Sequence, residues 1–253
     1  MADPTRIAEN PGRWLPDDGQ TAIVERQGFD FVTFGKSAAI GSINLTPDEV
    51  AGAVADARTL LRERGLDKVT WWVGPSAAPP DLEERLLAEG LTLDDEPNLT
   101  LLSLDHPPEA ESGLEVRRVT SRDELIAALA LESEAFGNSP EETAERVSRG
   151  GAAWERLKDD ETVEHFVAYL DGRPVAFGRG VFTPEGGLLL GGATLPDARG
   201  HGAYTALVWA RWEEAVRRGT PRLVVAAGPM SGPILERLGF APKGTVRLIV
   251  DRL

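Results

Sequence analysis

The chain contains no cysteine, which removes disulfides, thiolate metal ligands and a cysteine nucleophile together. Its three histidines, His106, His165 and His201, are too scattered to give a short metal-ligand spacing. Tyrosine occurs only twice, as Tyr169 and Tyr204. No apolar run approaches the ~20 residues needed to cross a bilayer. The start, Met1-Ala2-Asp3-Pro4, lacks the basic end and apolar core of a signal peptide. A soluble cytoplasmic protein without a membrane partner is expected. Lys/Arg runs are also missing, and a net charge of −14 repels a phosphate backbone, so no nucleic-acid partner is expected. The same field mildly enriches cations near the surface, which suits an amine substrate.

What is present suffices for a core. Hydrophobic residues make up 42% and charged residues 27% of 253 positions, an ordinary globular balance that allows two domains. The stretch from Asp105 to Gly113 carries Pro107-Pro108 and three acids, the composition of an exposed connection. An internal repeat supports a division there. Gly65 to Gly74 encloses a Trp71-Trp72 segment, and Gly219 to Gly228 encloses Leu223-Val224-Val225-Ala226-Ala227, each spanning nine residue steps (74 − 65 and 228 − 219). Each is followed by a helical Leu-Glu-Arg-Leu-type pattern and a glycine, ending in Gly90-Leu91 and Gly239-Phe240. The expected organisation is a first domain over 1–105, a linker over 106–112 and a second domain over 113–253.

In the second half, Ser121 with Glu124 and Ser139-Pro140 with Glu142 form two helix starts of the capping-box type, and Gly150-Gly151 is read as the stop of the second helix. Three strand-like runs follow, His165 to Leu170, Pro174 to Phe182 and Leu188 to Leu195, parted by Asp171-Gly172 and Pro184-Glu185-Gly186-Gly187, which is turn chemistry. A helix from Tyr204 to Arg218, a strand from Leu223 to Ala227, a helix from Pro233 and a strand from Gly244 complete the order α-α-β-β-β-α-β-α-β.

The segment Leu195-Pro196-Asp197-Ala198-Arg199-Gly200-His201-Gly202-Ala203-Tyr204 joins a strand to a helix through glycines. Free amides and the positive end of a helix dipole at such a junction hold phosphate oxygens. With Pro196, Arg199, Gly200 and Gly202 in place, the chain resembles the GNAT superfamily of acyl-CoA-dependent N-acetyltransferases, whose motif reads strand, Pro-x-x-Arg-Gly-x-Gly, helix. Asp197 departs from the Gln or Arg usual at its position. The resemblance extends through Leu223–Ala227 to Leu238-Gly239-Phe240 and implies an α/β (α+β) fold, tandem GNAT-like domains each built on a mixed, mostly antiparallel sheet flanked by helices.

The resemblance also implies acetyl-CoA as co-substrate and a small-molecule or peptide amine as acceptor. The amides of Gly200, His201, Gly202, Ala203 and Tyr204 would hold the pyrophosphate, and the backbone of Ala193, Thr194 and Leu195 the pantetheine arm. The Leu195 N–H would serve as oxyanion donor. The tyrosine that many members use to protonate the thiolate is replaced by Leu235, leaving Ser231 or water for that task. Glu132 and Glu134, on the first helix of this half, are the candidate bases. A non-catalytic acyl-CoA sensor is the competing reading, and a monomer and a homodimer both stay open. The first half has 65 − 47 = 18 steps between Pro47 and Gly65 against 219 − 196 = 23 in the second, and Asp48-Glu49 where amides would be needed. It is expected to lack the phosphate loop.

Overall fold

The computed structural model describes residues 5–16, 18–19 and 21–253. In chain order they form α1 (Thr5–Glu9), β1 (Thr21–Arg26), β2 (Phe29–Phe34), β3 (Ser37–Gly41), α2 (Val50–Arg64), β4 (Lys68–Val73), α3 (Leu82–Ala88), β5 (Thr92–Leu104), β6 (Glu115–Arg118), α4 (Arg122–Phe136), α5 (Pro140–Leu157), β7 (Val163–Leu170), β8 (Arg173–Thr183), β9 (Gly186–Thr194), α6 (Ala203–Arg217), β10 (Leu223–Ala227), α7 (Gly232–Arg237) and β11 (Ala241–Arg252). Among the described residues no helix is long and apolar enough to cross a membrane.

Two compact units result: Met1–Leu102 with Ala226–Ile234 and Pro242–Leu253, and Ser103–Val225 with Leu235–Ala241. This differs from the continuous second domain over 113–253 expected above, because the last strand belongs to the first unit. There β11 pairs antiparallel with β4, Ile249 opposite Trp71 and Asp251 opposite Val69. Asp251, 1% exposed, accepts three hydrogen bonds from Arg58 of α2, two from Nε at 3.0 and 3.1 Å and one from Nη2 at 2.9 Å. A buried carboxylate needs such a partner, so the C-terminal strand is fixed chemically as well as by backbone pairing.

In the first unit β1, β2 and β3 form an antiparallel meander, and β3 continues through α2 into a parallel β4. Phe31, Ile40, Leu60, Leu61 and Trp71 are fully buried in the core between helix and sheet. Trp72, one residue on from Trp71, is only half-buried, as the alternation of a strand requires.

The second unit repeats the plan. Strands β6 to β9 are antiparallel neighbours, and β9 crosses through α6 to a parallel β10. The Asp171-Gly172 turn takes φ 51° and 78°, the left-handed pair that a two-residue hairpin demands. Strand β6 lies outside the sequence expectation, since Glu115, Arg117 and Arg118 leave Val116 as its single apolar residue. Gly178 of β8 faces Arg211 of α6, whereas Arg179 faces Glu132 of α4. Consecutive strand residues point to opposite faces, so α4 and α6 cover the two sides of the sheet.

Gly150-Gly151 does not stop α5, which runs on to Leu157. A β-carbon on Gly150 would overlap Leu129 of α4, and the Gly151 carbonyl accepts a 3.2 Å bond from Arg122 Nε. The two glycines permit close helix contact instead of ending a helix.

Candidate active site

The site grows from an irregularity in β9. Phe177 pairs with Ala193 and Arg179 with Leu190, so Gly178 alone stands opposite Gly191 and Gly192. That is a β-bulge, which bends a strand and takes residues out of its ladder. Gly191 has φ 58°, a conformation suited to glycine.

Beyond the bulge, Leu195 N–H donates to Val175 C=O at 2.9 Å. The expected oxyanion donor is thus already engaged with β8. Antiparallel alternation makes Ala193–Phe177 the next hydrogen-bonded pair and turns the Thr194 amide and carbonyl to the opposite edge of β9. On that edge the ladder to β10 covers Gly187 and Leu188, well short of Thr194. The Thr194 hydroxyl oxygen is buried without a hydrogen-bond partner.

The chain then makes a short turn at Pro196–Ala198, with Ala198 N–H bonded to Leu195 C=O at 3.0 Å. Gly200 and Gly202 follow at φ 81° and 83°. Gly202 is the N-cap of α6 and offers no side-chain cap. The first helical bond runs from Ala206 N–H to Gly202 C=O, so the amides of Ala203, Tyr204 and Thr205 have no intrahelical acceptor. The His201 ring folds back, its Nδ1 donating toward the carbonyls of Arg199 at 3.0 Å and Ala198 at 3.3 Å. Arg199 Nε donates to Thr194 C=O at 3.3 Å, and Asp197 pairs with Arg173 at 2.8 Å. These bonds tie the loop to the ends of β8 and β9.

Two groups flank the bulge from opposite faces. From α4, Glu132, 2% exposed, lies against Gly191. Its Oε2 accepts from Arg146 Nε at 2.7 Å, and its Oε1 is 3.8 Å from Arg179 Nη2. Across the β7–β8 ladder from Arg179 stands His165, its pKa pushed down to about 3 by burial and then by Arg179 and Arg146. From α6, the Tyr204 ring packs on Gly192. Burial raises its phenol pKa, with Arg211 acting in the opposite direction. Arg211 is fully buried, donates to Leu207 C=O at 2.8 Å, and keeps one terminal nitrogen without a partner.

The sequence pointed to Glu132 and to the loop 193–204, which the second unit does bring together. It missed Arg146, Arg179, His165 and the bulge. The doublet Gly191-Gly192 inside an apolar strand was the available signal, since glycine within a strand marks a bulge or a close approach. Glu134 is exposed on α4. Ser231 falls in the first unit, where its hydroxyl donates to Gly228 C=O at 3.4 Å. Leu235 is fully buried.

The corresponding strand ends of the first unit are already filled. Asn10 Oδ1 accepts from Ser42 N–H at 2.5 Å, just after β3. Glu9, 3% exposed, accepts from the amide and hydroxyl of Ser76, just after β4, at 2.8 and 2.7 Å. At the junction into α2, Thr46 and Glu49 cap one another. Polar groups of the chain itself occupy these amides.

Residues 107–230 match the acetyltransferase (GNAT) domain family. The whole chain has the GNAT fold. A GCN5-related N-acetyltransferase from Kribbella flavida superposes with a TM-score of 0.73 at 20% identity, covering 99% of this chain and 96% of that one. A tandem GNAT protein from the clavulanic acid biosynthesis pathway gives 0.63 at 18% identity, covering 98% and 87%. A GCN5-related N-acetyltransferase from Sphaerobacter thermophilus gives 0.62 at 19%, covering 92% and 76%. No curated protein matches the chain in sequence.

Proposed function

We propose that the second unit transfers an acetyl group from acetyl-CoA to the amine of a small molecule or peptide, by direct attack within a ternary complex. The observation that carries this reading is the junction of β9 and α6. Two glycines at positive φ open a row of uncapped amides at the positive end of a 15-residue helix, beside a strand edge that β10 leaves unpaired. Amides so placed fit a pyrophosphate. The Thr194 amide on that edge, whose carbonyl already accepts from Arg199, fits the carbonyl of an amide-bearing arm as in an added strand.

The bulge stands where that arm would end, so the donor to the thioester oxygen passes from Leu195 to the Thr194 edge and the bulged amides. A preorganised donor of this kind lowers a barrier by on the order of 3 kcal/mol. Attack forms the C–N bond, the nitrogen gives up its extra proton to water, collapse breaks C–S, and the thiolate takes up a proton. Tyr204 is the phenol beside the bulge, and we assign it that proton in place of Ser231. Glu132 has both oxygens turned to guanidiniums and serves to hold them. The remaining rate enhancement comes from holding amine and thioester in contact.

The fully buried Leu235 favours a second reading, an acyl-CoA sensor without turnover. Thiol release from acetyl-CoA with an amine panel separates the two. Gly202→Asp tests the loop in either case, because it sets a negative charge at the N-terminus of α6, at a φ of 83° that suits glycine and with its β-carbon 3.0 Å from Ser112 Oγ. Calorimetric CoA affinity should fall by more than about tenfold. A change below about threefold would remove the loop from the site.

A further inference from the structure

We propose that Arg146 of α5 and Arg179 of β8 form a carboxylate-binding subsite, and that the acceptor is an amine carrying a carboxylate a few bonds from its nitrogen, as an amino acid does. The inference rests on the acetyltransferase reading for the place of the thioester, and on the side-chain cluster itself for the anion.

Four titratable groups meet on the α4 face of the bulge: Glu132, Arg146, Arg179 and His165. Glu132 carries one negative charge and the arginines two positive ones. His165, held at a pKa of about 3, adds none at neutral pH. The cluster therefore keeps one net positive charge within a chain whose total is −14. Glu132 sits at the bottom with its side chain 3% exposed, while Arg146 and Arg179 remain 28% and 23% exposed. Arg146 Nε and Nη2 and Arg179 Nη2 face that carboxylate, and each arginine side chain keeps part of its surface exposed.

Guanidinium forks match carboxylates in a planar, two-point contact that lysine does not reproduce. Arg179 Nη2, the nitrogen on the Glu132 side, is 3.5 Å from the point where a β-carbon on Gly191 would lie, so the guanidinium borders the bulge and an anion on its exposed part lies about one guanidinium's breadth from it. An acceptor whose charge is fixed at that distance has its nitrogen within a few bonds of the thioester. A bare alkylamine would place only its own cation against two arginines, an arrangement that charge repulsion disfavours.

The test is calorimetric titration of the full chain loaded with CoA, which carries no acetyl group and so prevents turnover. The probes are the twenty common amino acids and the amines made by removing their carboxylates. At least one amino acid is expected to bind roughly tenfold or more tighter than its own amine. Arg146→Lys, which keeps the charge and loses the fork, is expected to lower that affinity by a similar factor with melting temperature retained. The inference is overturned if no amino acid binds, if the amines bind equally well, or if Arg146→Lys binds like the wild type. Should CoA fail to load, the acetyltransferase reading fails, and titration of the free chain still decides the anion subsite.

Discussion

Glu132 Oε1 lies 2.6 Å from the position a β-carbon on Gly191 would take, so the carboxylate of α4 rests directly on the bulge of β9. Gly191→Ala must both enter the left-handed region, at about 1–2 kcal/mol, and displace a carboxylate tied to two arginines. We expect a lower melting temperature and an acceptor KM raised more than that for acetyl-CoA. An alanine variant with wild-type stability and kinetics would mean that this contact does not shape the site.

Tyr204 is protonated at neutral pH, because burial raises its phenol further. If it protonates the leaving thiolate, Tyr204→Phe should reduce kcat by about a hundredfold, within the usual range for general acids. CoA affinity should change less than about threefold, since the amide of residue 204 survives the substitution. Unchanged kcat would leave the ring a packing role against Gly192 alone.

His165 makes stability depend on pH in one direction. Its folded pKa of about 3 lies below the ordinary 6.5. As pH falls through about 6.5 the unfolded chain therefore binds a proton that the folded chain refuses. The stability this neutral imidazole contributes is complete above that value and is lost progressively toward pH 3. Between pH 7 and 5.5, before most carboxylates titrate, the melting temperature of His165→Gln should decline less than that of the wild type. Parallel declines would show that His165 is not the group responsible.

One CoA per chain is the expected stoichiometry. In the first unit Asn10 and Glu9 already occupy the amides of Ser42 and Ser76, and the entry to α2 is closed by the Thr46–Glu49 capping box. Glu9→Ala should lower stability by about 1–3 kcal/mol by stranding the partners of a buried carboxylate. Calorimetry giving a stoichiometry near two would overturn the account of a filled first unit.

Local chemistry settled much of this protein before any folding. The capping boxes at Ser121 and Ser139, the Asp171-Gly172 turn and the Pro-x-x-Arg-Gly-x-Gly loop each depend on a few neighbouring residues. Their backbone outcome follows from those residues alone. The repeat of a glycine-flanked strand followed by a helix was legible for the same reason, whereas the β1–β3 meander of the first unit was not read.

What required tertiary structure was every decision made by distant partners. Gly150-Gly151 reads as a helix stop until Leu129 and Arg122 of α4 lie against it. β11 reads as the last strand of the second half until β4 and Arg58 claim it for the first unit. Leu195 N–H reads as free until the register with β8 assigns it to Val175, and that register depends on a bulge with Glu132 on one face and Tyr204 on the other. Packing fixed those choices, because a backbone group or a charge removed from water takes the partner that the fold brings within reach.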